Sequence, residues 1–170
     1  MRIVVTDACI FIDLMLLDVL VHFFGLDLDV HTTIDVLDEL FPEDQAVLSE
    51  FQKRGRLTVH TLSAEERLAM DETKYPRALS PEDRSVLFLA SQLDAVILSS
   101  DKAVRNYSKK KAIEYHGMLW VFDQLVLDGV LEKPVAIEKL QLLLSSNIMY
   151  RNNTELQREV QNRVVLWGHS

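Results

Sequence analysis

The chain holds a single cysteine, Cys9, in 170 residues. One thiol excludes an internal disulfide and a cysteine-rich zinc site. Its place just after an apolar run reads as a small buried filler. An excess of basic charge is also missing. Lys and Arg number 18 against 26 Asp and Glu, a net charge of −8 and a pI near 5.1. That argues against a generic nucleic-acid-coating protein, which is usually basic. It leaves room for an enzyme that holds phosphate with a metal and a local basic patch. No apolar run suits a bilayer: the stretch from Ile10 to Leu26 is broken by Asp13, Asp18 and His22. No secretory signal is visible, because Asp7 interrupts any signal-peptide core and no small-residue cleavage site follows. A soluble cytoplasmic protein without membrane contact is the expectation. The histidines at 22, 31, 60, 116 and 169 show no ligand spacing. No repeat or low-complexity tract occurs. What remains is an ordinary globular composition, 48% hydrophobic and 26% charged, on a chain long enough for one domain with a real core.

The order of elements follows from periodicity. Strands are expected at 2–6, 28–31, 57–60, 95–99 and 118–121, and helices at 10–23, 33–40, 43–53, 63–72, 81–93, 102–112 and 122–128. Ile3-Val4-Val5 and Ala95-Val96-Ile97-Leu98 are short, β-branched and apolar on both faces, as buried parallel strands are. The alternation predicts an α/β fold with a mainly parallel central sheet. Pro42 opens a helix with Glu43 and Asp44 in its first turn. Gly55 closes it, and Ser80-Pro81 starts another. Beyond Lys133-Pro134 two amphipathic helices are expected, 135–145 and 155–167, joined by Ser146-Asn147. Residues 1–132 therefore read as the α/β domain, and 133–170 as a helical extension. Packing on the sheet domain is the expected use of that extension, with a homodimer interface next.

Asp7 and Asp101 each follow an apolar strand. In an open α/β sheet, ligand sites form beyond the carboxyl ends of the strands. Carboxylates gathered there repel one another unless a cation lies between them. Oxygen ligands of this kind select Mg²⁺ or Mn²⁺. Each acid also has a plainer reading. Asp7 and Asp101 could cap the helices that follow. Asp83, three residues after Ser80, has capping-box spacing. Glu39 could be a solvated acid beside Asp38.

Four segments tip that balance. Val4-Val5-Thr6-Asp7-Ala8-Cys9-Ile10-Phe11-Ile12 resembles the opening of PIN-domain ribonucleases. Thr32-Thr33-Ile34-Asp35-Val36-Leu37-Asp38-Glu39-Leu40 resembles their second motif, with its acid on Glu39. Leu79-Ser80-Pro81-Glu82-Asp83-Arg84-Ser85-Val86-Leu87 resembles the third, with its acid on Asp83. Leu98-Ser99-Ser100-Asp101-Lys102-Ala103-Val104-Arg105 resembles the fourth. The resemblance implies a PIN-like three-layer α/β/α nuclease with two added C-terminal helices. It implies an endoribonuclease that uses Mg²⁺ or Mn²⁺, held by Asp7, Asp101, Glu39 and Asp83, to hydrolyse RNA in line and leave a 5′-phosphate. It further implies a toxin with an antitoxin partner. One departure is that Arg105 stands near the place of a further Asp or Asn in many members, and no acid follows until Glu114.

RNA needs cations as well. Lys102, Arg105 and Lys109 share a helical face that starts beside Asp101. The plain alternative is a solvated face. Arg84 beside Asp83 is a further candidate, and Ser100 or Ser99 could bond a carboxylate or a phosphate. Tyr107 and Trp120 read as packing. Two rival functions stay open: a catalytically inactive PIN-like domain that binds RNA or protein, and a phosphoacceptor α/β domain. The second lacks the acid two residues after Asp7 that aspartyl phosphatases use.

Overall fold

A computed structural model describes residues 1–169. Strands β1 (Arg2–Thr6), β2 (Leu28–Thr33), β3 (Leu57–His60), β4 (Val96–Leu98) and β5 (Tyr115–His116) form one sheet in the order β3-β2-β1-β4-β5. Every neighbouring pair is parallel. The helices are α1 (Ala8–Leu16), α2 (Leu20–Phe24), α3 (Ile34–Asp38), α4 (Pro42–Lys53), α5 (Ala64–Glu72), α6 (Pro81–Leu93), α7 (Lys102–Lys110), α8 (Met118–Leu127), α9 (Lys133–Ser146), α10 (Ile148–Arg151) and α11 (Thr154–Gly168). This is an α/β protein with an all-parallel central sheet, as expected. None of the described helices is long and apolar enough to cross a membrane.

The chain divides into two compact units. The first comprises Met1–Ile12 and Asp27–Met118; the second comprises Asp13–Leu26 and the chain from Leu119 onward. In the first unit β1 sits in the middle of the sheet, and β4 is buried along its whole length. Val4, Val5, Ile97 and Leu98 are fully covered, which is why both faces of these strands are apolar. Helix α6 packs on β1, β2 and β4 and buries Val86, Leu87, Leu89 and Ala90 against them. Gly55, at φ +73, ends α4 in the left-handed region that glycine adopts without strain.

In the second unit Phe122, Leu125, Leu140 and Leu143 are buried. Arg163 of α11 grips Asp123 of α8 through two N–H donors, at 2.7 and 2.8 Å. It also reaches Glu159 one turn away at 3.2 Å. A planar guanidinium facing a carboxylate in this way fixes orientation as well as distance.

Three expectations are corrected. The helix expected over 10–23 is two helices, because Asp18 turns to φ 55 and stops α1. Aspartate tolerates that left-handed conformation. The strand expected at 118–121 is the first turn of α8, and the fifth strand is Tyr115–His116 instead. Met118, Val121, Phe122 and Leu125 are all fully buried, at helical spacing. A short apolar run does not by itself distinguish a strand from a buried helix. At the end of the chain, α10 intervenes between the two expected helices. Asn147 accepts from the Met149 N–H at 3.0 Å and starts it.

Candidate active site

The strand order places the topological switch of the sheet between β1 and β4. From there the chain winds outward to β2 and β3 on one side and to β5 on the other. Crevices form at such points, beyond the carboxyl ends of the strands. Asp7 leaves the end of β1 and its backbone N–H donates to the Leu98 carbonyl of β4 at 3.2 Å. Asp101 follows β4 and caps α7, accepting from the Val104 N–H at 3.1 Å.

Asp7 is buried, with 4% of its surface exposed. Its carboxylate accepts from the Ile10 N–H at 3.1 Å and from the Ser99 hydroxyl in a short contact. The Cys9 sulfur lies 3.0 and 3.1 Å from its two oxygens, with the thiol as donor. Burial pushes its pKa up to about 6 against the pull of these bonds, and Asp83 pushes in the same direction. Ser99 also accepts from the Asp101 N–H at 3.1 Å, so one hydroxyl joins the two strand-end acids.

Asp83 sits in the first turn of α6. Its carboxylate accepts from the Ser80 N–H at 3.1 Å while Ser80 accepts from the Asp83 N–H at 3.1 Å, a complete capping box. Its pKa is nevertheless raised, first by burial and then by Asp101 and Glu82. Glu39 is the exposed member of the set and ends α3. Its pKa is raised by partial burial, then by Glu82, Asp83 and Asp7. Helix α3 is tied to α6 beneath it: Thr33, the cap of α3, meets the Ser85 hydroxyl at 2.8 Å.

The four acids thus share one electrostatic field, through the pairs Asp7–Asp83, Glu39–Asp83, Glu39–Asp7 and Asp83–Asp101. The local capping roles are real at the same time. Among the described residues no three His, Cys, Asp or Glu side chains are assembled as a finished metal cage. Asp83 and Asp101 each accept one backbone N–H on one carboxylate oxygen, which leaves the second oxygen of each available. The donor set suits a hard divalent cation all the same. It is made of carboxylates, and the mutual repulsion that adds to burial in raising Glu39 and Asp83 is what a cation would relieve.

The basic candidates divide. Lys102 and Lys109 are exposed on α7. Arg105 turns inward, its guanidinium 5.1 Å from the centre of the Tyr115 ring and donating to the Ser99 carbonyl at 3.4 Å. Gly117 makes room for it: a Cβ there would lie 2.7 Å from an Arg105 nitrogen. Arg84 donates to the Pro76 carbonyl at 3.5 Å. Ser100 is buried beside the site.

Ser99, Glu82 and Cys9 complete the surroundings of the acids. Ser99, one of the two serines expected to bond a carboxylate, donates to Asp7 and accepts from the Asp101 N–H. Glu82 adds to the field on both Glu39 and Asp83. Cys9 is half-buried on the Asp7 carboxylate and is not the buried filler expected. The signal for Ser99 was faint: alternation along β4 distinguishes the two serines only once the strand's faces are known.

Removing the capping hydroxyl tests the support of Asp83. Ser80→Ala is expected to cost about 1 kcal/mol, the usual value for a lost N-cap. A thermal melt should fall by roughly 2–4 °C in a chain of this size. An unchanged melting temperature would mean that the capping box does not stabilise α6.

A family model described as a PIN domain matches residues 3–163. The chain belongs to the PIN-domain family. Comparison with curated proteins gives no match. Among solved structures, the chain is similar to a domain of a functionally unknown protein from Methanocaldococcus jannaschii DSM 2661. The identity is 19% and the TM-score 0.48, over 69% of this chain and 91% of that one.

Proposed function

We propose that the protein is an endoribonuclease that hydrolyses RNA phosphodiester bonds with Mg²⁺ or Mn²⁺, and that it acts as a toxin restrained by an antitoxin protein. The observation that carries the nuclease reading is the shared field of Asp7, Glu39, Asp83 and Asp101 at the switch point of the sheet. PIN domains are typically nucleases, which supports the hydrolase class. The toxin role rests on the resemblance alone.

Asp7, Asp101, Glu39 and Asp83 would hold the cation, which supplies Lewis-acid polarisation of a phosphate oxygen. The chain's own residues do the rest. Asp7 is held in place by Ser99, Cys9 and the Ile10 N–H, so its orientation is set before substrate arrives. Glu39 is exposed and has a raised pKa. In this reading it orients an attacking water and accepts its proton. Lys102 and Lys109, exposed on α7, offer charge to the RNA backbone.

One observation favours a second reading, a PIN domain that binds RNA without cutting it. Asp83 and Asp101 are engaged as helix caps. A cleavage assay separates the two. The purified chain should cut single-stranded RNA with Mg²⁺ or Mn²⁺ and stop in EDTA. Binding without any metal-dependent cut would select the second reading. Lys102→Ala should weaken RNA binding and lower its salt slope by about one unit. An unchanged slope would remove Lys102 from the interface.

A further inference from the structure

Charge is unevenly placed along this acidic chain. Between Thr73 and Lys111 lie 8 of its 18 Lys and Arg but only 4 of its 26 Asp and Glu. Within this basic stretch two aromatic rings meet. Tyr75 and Tyr107 have centroids 5.2 Å apart and planes tilted by 51°. A tilted pair does not cover both faces of either ring, and both side chains remain partly exposed. Cations flank the pair. The Lys111 ammonium lies 5.9 Å from the centre of the Tyr107 ring. Arg84 donates to the carbonyl of Pro76, the residue after Tyr75. The Arg84 Nε is buried and has no hydrogen-bond partner among the described residues. Lys74 and Arg77 are exposed on either side of Tyr75.

The elements that carry these rings also carry two of the acids. Tyr107 lies on the helix that Asp101 caps, six residues on, about 9 Å along the axis at 1.5 Å per residue. Tyr75 lies on the segment that runs into the Ser80–Asp83 capping box. We propose that Tyr75 and Tyr107 form a stacking platform for an unpaired base of single-stranded RNA, next to the nucleotide whose phosphate meets the acids, with Arg84 and Lys111 contacting its backbone. The proposal rests on the nuclease reading for its placement, but the platform binds RNA whether or not the site cuts.

The chemistry agrees. Unpaired bases are recognised by stacking on aromatic rings set in a positive surface. Duplex RNA buries those base faces and offers nothing to stack. Burial holds the Tyr75 hydroxyl up at about 12 and raises that of Tyr107. A phenol is neutral at physiological pH with or without that rise, so neither ring repels phosphate. An acidic protein segment could use the cations but would gain nothing from the rings.

The test is binding in EDTA, where no cleavage occurs, with an oligoribonucleotide carrying one 2-aminopurine. Wild type should quench the fluorophore as its base stacks. Tyr107→Leu and Tyr75→Leu should abolish the quench and weaken affinity roughly 5- to 150-fold, the range for one lost base–aromatic stack. The loss should be equal at all salt concentrations. Tyr107→Phe should bind as wild type, and Lys111→Ala should lower the salt slope by about one unit. Thermal melts check that each variant is folded. If Tyr107→Leu does not fold, the wild-type quench and its retention in Tyr107→Phe still decide. Absent quenching, wild-type affinity in both Leu variants, or an equal loss on duplex RNA would overturn the platform. Failure of the two readings is distinguishable. Metal-dependent cleavage that ignores both tyrosines leaves the nuclease and removes the platform. Tyrosine-dependent quenching without cleavage in Mn²⁺ leaves the platform and removes the nuclease.

Discussion

Asp7→Asn is expected to abolish RNA cleavage while leaving the metal-free protein as stable as wild type or more so. The side chain is buried and its pKa is raised to about 6, so at neutral pH the fold carries a charge that burial disfavours. Asparagine removes that charge at nearly constant shape and can still accept from the Ile10 N–H, which now meets Asp7 at 3.1 Å. Its amide would have to donate toward Ser99, which disturbs the short bond there. The net gain at neutral pH is accordingly smaller than the full relief, about 1–2 kcal/mol. Metal should then distinguish the two proteins. A cation that binds only the folded state stabilises it by about 1.4 kcal/mol at roughly tenfold above its dissociation constant. That corresponds to a rise of roughly 3–6 °C in melting temperature. Wild type should show this rise with Mn²⁺ and the variant should lose most of it. Equal shifts in both proteins would refute a site built on Asp7. If Asp7 is only a helix cap, asparagine serves as well, and metal moves neither melt.

The second large effect belongs to an acid outside the candidate site. Asp13 of α1 is 4% exposed. Asn147 donates to one of its oxygens at 3.2 Å. The other oxygen is buried without a hydrogen-bond partner among the described residues. Burial pushes its pKa up to about 6, and the Asn147 bond only moderates the rise. The sign follows from proton binding. The folded state holds this proton more tightly than the unfolded chain, so stability falls as pH rises between about 4 and 6. The penalty is complete above the folded pKa, and a shift of about two units is worth up to about 3 kcal/mol. Asp13→Asn should therefore stabilise the protein by about 2 kcal/mol at pH 7.5 and by almost nothing at pH 4. Urea denaturation at the two pH values measures it. A gain of the same size at both would show that the charge of Asp13 is not what destabilises the fold.

Asp7 and Asp13 show how far a sequence reaches. Both are acids six residues apart in an apolar stretch, and both end up buried with a pKa near 6. Only Asp7 stood where a strand ends, so only Asp7 was a candidate ligand. The one hydrogen-bond partner found for the Asp13 carboxylate was illegible, because Asn147 lies 134 residues away.

Local chemistry wrote much of the fold into the chain. Strand β1 declared itself by its β-branched apolar residues, α4 by Pro42 and Gly55, and α6 by Ser80, Pro81 and the acid three residues on. Such signals need no distant partner, because caps and left-handed turns are satisfied within a few residues. Met118 to Val121 misled because its apolar run is shared by two kinds of buried element, and the core around Phe122 decided for helix. The four motif acids were named from the chain. Their meeting was not, since caps alone would also account for them one at a time. Tertiary structure orders the strands β3-β2-β1-β4-β5, which brings the ends of β1 and β4 side by side. Asp7 and Asp101, 94 residues apart along the chain, then share one serine, and their field reaches Asp83 and Glu39. The sequence by itself determined the strands, the helix starts and which acids to watch. The electrostatic coupling of those acids, the bond from Ser99 to Asp7 and the pairing of Tyr75 with Tyr107 came only with long-range packing, because each depends on which residues distant elements bring near one another.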